Sequence, residues 1–102
     1  MEIEQIPGPE LDVKLAIMLG VNVHIATGEK LSSSWNGMRL VVEEMQRRGF
    51  RVRMADQITL WKARFFDMST DLPTSWVNAE TAPHAVALAA VKALGGEQDG
   101  QG

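Results

Sequence analysis

The stretch Arg51-Val52-Arg53-Met54, read together with Leu60-Trp61-Lys62-Ala63-Arg64-Phe65, decides the class of this chain. In both runs apolar and cationic residues alternate, which is the period of a strand with one face covered and one face wet. A third run, Ser75-Trp76-Val77-Asn78-Ala79, follows Asp71-Leu72-Pro73, which reads as a turn. The three runs predict three antiparallel strands with short connections.

The segments around them read as helices. Upstream, Ser32-Ser33-Ser34 offers good N-cap residues, and Trp35, Met38, Val41, Val42 and Met45 form an apolar stripe behind it. Glu43 and Glu44 stand four residues before Arg47 and Arg48, the favoured order for helix ion pairs, so a helix is expected over 34–48. Further upstream, Pro9 opens a segment with Leu11, Leu15, Met18 and Leu19 on one face, and Gly20 stops it, so a helix is expected over 9–19. Between these helices, Val21-Asn22-Val23-His24-Ile25 alternates and suggests a short strand, followed by a loop from Ala26 to Leu31. Downstream, Thr81 caps a helix with Pro83 in its first turn, and the alanine-rich run from Ala85 to Leu94 ends at Gly95-Gly96. Its wide apolar face implies burial against the sheet or a partner. The fold class is therefore α+β: helix, short strand, helix, three antiparallel strands, helix, with the helices on one face of a small sheet. Residues 1–8 are expected as an arm, 9–95 as one domain and 96–102 as a disordered tail.

The bulk numbers agree with one small domain. The chain has 102 residues, 45% of them hydrophobic, and no cysteine, which excludes disulfides and thiolate chemistry and fits a reducing compartment. Met1-Glu2-Ile3-Glu4-Gln5 is acidic where a signal peptide is basic, and no run approaches the ~20 apolar residues of a membrane span. The net charge of −3 places general nucleic-acid binding at a disadvantage.

Three collinear blocks resemble a known family. They are Glu10-Leu11-Asp12 leading to Gly20; Leu31-Ser32-Ser33-Ser34-Trp35 with Val41-Val42-Glu43-Glu44-Met45 and Gly49-Phe50; and Ala79-Glu80-Thr81-Ala82-Pro83 with Ala85, Ala89-Ala90 and Lys92-Ala93-Leu94. Together, over roughly residues 10–95, they resemble the phage ABA sandwich domain, a family of uncharacterised small phage and prophage proteins. Ser34 stands where that family usually has Asp, and Leu31 where it usually has an aromatic residue. The resemblance implies a fold, a phage or prophage origin and a setting in the cytoplasm of a bacterial host. It supplies no catalytic residues.

The chemistry-bearing residues point to binding, not catalysis. His24 and His84 are the only histidines and have no two-ligand spacing, so no metal site is expected; they read as polar residues on a strand face and near a helix start. The triple serine lacks a nucleophile elbow and is explained by capping; Asp56, Asp67 and Asp71 fall at strand ends and turns; Gly28-Glu29-Lys30 lacks P-loop spacing. No enzymatic activity and no cofactor are expected. The feature that stands out is a basic strand face. Arg51 and Arg53 share one side of their strand and Lys62 and Arg64 one side of theirs, with Asn78 and a partly exposed Trp76 as neighbours. Such a surface suits an anion, a nucleotide or nucleic acid; the plainer alternative is a solvated face balanced by acidic residues. Ser32, Ser33, Ser34 and Trp35 form a second candidate region at the helix cap.

These readings predict a non-enzymatic phage-encoded binding protein. It would bind a host protein or sequester a small anionic or nucleotide ligand, for example as a counter-defence factor. A double-stranded RNA module shares the order of elements, but Ala82-Pro83-His84-Ala85 stands where such modules place lysines. A self-assembling structural domain is the other alternative. An alanine-rich helix and an open sheet edge also suit a homo-oligomer.

Overall fold

The computed structural model describes residues 8–95; most of the arm expected over 1–8 and the tail expected over 96–102 lie outside that range. The order is α1 (Pro9–Leu19), α2 (Val23–Glu29), α3 (Trp35–Arg47), β1 (Phe50–Asp56), β2 (Trp61–Asp67), β3 (Leu72–Pro73), β4 (Val77–Ala79) and α4 (Ala82–Leu94). The chain is α+β, with helices packed on a four-stranded antiparallel sheet.

Three helices form where local signals place them. α1 begins with Pro9 and ends at Gly20, whose left-handed φ of 73° lets the following Val21 N–H turn back to the Ala16 carbonyl at 2.9 Å. In α3 the Ser34 hydroxyl accepts the Gly37 N–H at 2.9 Å, and in α4 the Thr81 hydroxyl accepts the His84 N–H at 3.3 Å. Gly37 has a further role. A Cβ there would lie 2.6 Å from Leu31 Cα and closer still to the Lys30 carbonyl, so only glycine lets α3 cross the 29–31 turn.

The strand expected over 21–25 is instead the start of α2. The Asn22 carboxamide accepts the His24 N–H at 2.8 Å and the Ile25 N–H at 3.3 Å, capping a helix that begins at Val23. The Thr27 hydroxyl bonds back to the Val23 carbonyl. Alternation over five residues was too short to outweigh an asparagine cap with no strand beside it. His24 therefore lies exposed on a helix, and most of the loop expected from Ala26 is helical. The helix ion pairs also differ from the expected ones. Arg39 pairs with Glu43 and Arg47 with Glu44, while Arg48 donates to the Leu19 carbonyl at 2.7 Å and ties α3 to the end of α1.

β2 is the central strand, paired with β1 along its whole length on one side and with β3 and β4 on the other. Phe65 and Ala63 of β2 and Val77 and Ala79 of β4 are buried beneath the helices. α4 packs on β1, β2 and β4; α3 packs beside it on β1; α1 packs on α4 away from the sheet. α4 thus has neighbours on two sides, which is why it is buried almost all round and why alanine suits it.

The third strand departs from its expected form. Leu72 and Pro73, expected in a turn, pair with Asp67 and Phe66, while regular pairing of the last strand starts at Val77. Between them the register slips by one residue. Thr74 still bonds Phe65, through its N–H at 2.9 Å and its hydroxyl at 3.1 Å, so Ser75 and Trp76 together face Arg64 alone. This is a β-bulge, and it reorients the side chains around it. Ser75 meets Lys92 of α4 at 3.4 Å on the helical side. Trp76 meets the cations of β2.

Candidate functional site

The register assembles the basic strand face. In an antiparallel pair, directly opposed residues share a face. Arg53 of β1 opposes Arg64 of β2, Arg51 opposes Phe66, and Lys62 opposes Ala55 on one side and Asn78 on the other. Arg51, Arg53, Lys62, Arg64 and Asn78 therefore lie on one side of the sheet, opposite to buried Ala63, Phe65 and Val77.

Trp76 joins this face through the bulge. The Lys62 ammonium lies 4.5 Å and the Arg64 guanidinium 4.4 Å from its ring centroid. Contacts of this kind contribute about 0.5–1 kcal/mol each where exposed. The indole and the aliphatic stems also hold both cations in place. Trp76 stays 38% exposed, enough to meet a ligand.

No carboxylate occupies the strand positions of this face, and among the described residues none of Arg51, Arg53, Lys62 and Arg64 forms an ion pair. The balancing acidic residues of the plainer reading are thus missing from this side of the strands; Asp56 and Asp67, which end β1 and β2, belong to the helical side. Glu80 stands beyond the end of β4, on a cavity of about 400 Å³ that it shares with Leu60, Asn78, Ala79, Thr81 and His84. Arg53 against Arg64 is a directly opposed like-charge pair, an arrangement that costs rather than contributes stability. An anion bridging the two would offset that cost.

The cap region has a different role. Ser34 is the cap of α3, and its hydroxyl also donates to the Glu29 carbonyl. Ser33 is exposed. Ser32 is no cap: it is fully buried, its hydroxyl donates to Asp12 Oδ1 at 2.6 Å, and its N–H donates to the same oxygen at 2.8 Å. The Gly8 N–H completes the cluster by donating to the Ser32 hydroxyl at 2.9 Å. Buried Asp12 thus staples α1 to the turn before α3. Its position on the apolar side of α1, next to Leu11, was the sequence signal for this role.

Trp35 is 58% exposed and packs edge-to-face on Trp61, with centroids 5.9 Å apart. Trp61 shares the helical side of the sheet with Ala63, so this pair is separated from Trp76 by the sheet. Among the described residues, no three His, Cys, Asp or Glu side chains gather as a metal site would require.

No family model, curated protein or solved structure matches the chain.

Proposed function

We propose that this chain is a non-enzymatic binding module that takes an anionic ligand on the open face of its sheet. The observation that carries this reading is the pair Lys62 and Arg64 over Trp76, with Arg53 opposed to Arg64 and no carboxylate on the same strand positions. Guanidinium groups match phosphate and carboxylate oxygens, the indole offers an apolar surface beside them, and the Asn78 amide supplies a neutral donor and acceptor. The face is open, so it suits a ligand presented along a surface more than one enclosed in a pocket. The resemblance to phage ABA sandwich domains extends the proposal to a phage- or prophage-encoded protein that sequesters a ligand or occupies a host protein's acidic surface.

The test is titration of the full chain with a nucleoside triphosphate and, separately, with a short polyglutamate peptide, following the Trp76 indole N–H by NMR. A saturable shift that weakens as salt rises, and is lost in the Lys62→Glu/Arg64→Glu double variant, supports the reading. No shift with either anion at low salt removes it.

A further inference from the structure

The outer edge of β1 is built to take one kind of strand. Gly49 O accepts the Met68 N–H at 2.9 Å and Leu60 O accepts the Gln57 N–H at 2.7 Å, which brackets the β1–β2 ladder at both ends. Counting inward from these bonds, Arg51, Arg53 and Ala55 turn their N–H and C=O groups towards β2. Phe50, Val52, Met54 and Asp56 turn theirs to the outside. Among the described residues β1 pairs only with β2, so this outer row has no strand partner. A groove of about 370 Å³, lined by Gln46 of α3 with Arg51, Val52 and Arg53, runs along it. Met54 points to the helical side but lies beyond the helices and is 41% exposed.

Charge decides which strand fits. Residues that pair directly with Arg51 and Arg53 fall on the open face beside them, and the intervening ones fall beside Val52 and Met54. The complement is an extended segment with acidic residues at alternate positions and apolar residues between. The β1 strand of a second copy is the wrong partner. Antiparallel pairing centred near Arg53 would set arginine against arginine, the means by which edge strands resist self-association.

We infer that β1 is a docking edge for an acidic, apolar-alternating peptide of a partner protein, which adds to the sheet as a fifth strand. Main-chain bonds to Val52 and Met54 hold it, and Arg51 and Arg53 select its charge. This goes beyond the anionic-face reading and rests on it only through those two arginines.

The probe is a blocked Glu-Val alternating octapeptide, with a Lys-Val peptide as its control, added to the full-length chain. Expected are saturable binding of the first only and slowed hydrogen exchange at the Val52 and Met54 amides. Met54→Pro removes one outward N–H without touching the β1–β2 ladder and should weaken binding tenfold or more. Arg51→Glu/Arg53→Glu, which keeps every backbone donor, should transfer preference to the Lys-Val peptide. Glu-Val binding that leaves the Val52 and Met54 amides unprotected overturns the inference while leaving the open-face reading intact. So does nucleotide binding without peptide binding. Peptide-independent dimerisation that protects the same amides also overturns it.

Discussion

The two sides of β2 obey opposite rules. On the helical side Phe65 and Ala63 have no exposure, and the alanines of α4 allow close approach. On the other side, one residue away along the same backbone, Arg64 and Lys62 stand with Arg53 and Arg51, like charges set together, and the Trp76 indole lies against Lys62 and Arg64. The first arrangement is what burial alone would select. The second opposes like charges across the strands, which burial alone does not select, so the two sides of one strand answer to different forces.

The largest effect should come from emptying the helical side. Phe65→Ala removes the largest fully buried side chain and is expected to cost about 3–5 kcal/mol, measured by urea unfolding, without altering the sign of the open face. Next is the staple beneath the helices. Asp12→Ala leaves the buried Ser32 N–H and hydroxyl without their acceptor and should cost about 2–3 kcal/mol, whereas Asp12→Asn, which keeps an acceptor oxygen, should cost less.

The open side should respond with the opposite sign. Arg53→Thr relieves the opposed pair with Arg64 and places a good strand former, so stability should rise by roughly 0.2–1 kcal/mol while anion binding weakens. A variant that lost both would erase the contrast between the two sides. The smallest effect is a titration at the end of β2. The Ser69 hydroxyl and N–H donate to Asp67 at 2.7 and 2.9 Å and hold its carboxyl below its ordinary value of 3.8. A depressed folded pKa contributes stability above the ordinary value, and this is lost as pH falls through the folded value. Ser69→Ala should return Asp67 towards 3.8, read by carboxyl NMR, with little change in unfolding because the group is exposed.

Much of this contrast was legible in the sequence because it depends on period. Alternation over 51–54 and 60–65 sorts cations to one side of a strand and apolar residues to the other, whatever the strands pair with. The caps at Ser34 and Thr81 and the stop at Gly20 were equally local. What could not be read was anything that needed a partner. Asn22 competed with a weak strand pattern and won, since no strand lay beside residues 21–25 to reward extension. Ser32 looked like one of three equivalent caps until Asp12, distant in sequence, was brought against it. Met54 carries the alternation of a covered residue, but the helices do not reach the edge where it lies.

By itself the sequence determined the class: helices flanking an alternating sheet, and four cations confined to one side of two strands. Only the tertiary structure decided that those strands pair in the register that opposes Arg53 to Arg64, that a bulge at Ser75 and Trp76 carries the indole over Lys62 and Arg64, and that β1 forms one edge of the sheet while β2 lies at its centre. The physical reason is that side-chain alternation is a property of one chain segment, fixed by backbone geometry. Register, bulge and edge are properties of pairs, fixed by which hydrogen bonds and buried contacts the whole fold can satisfy at once.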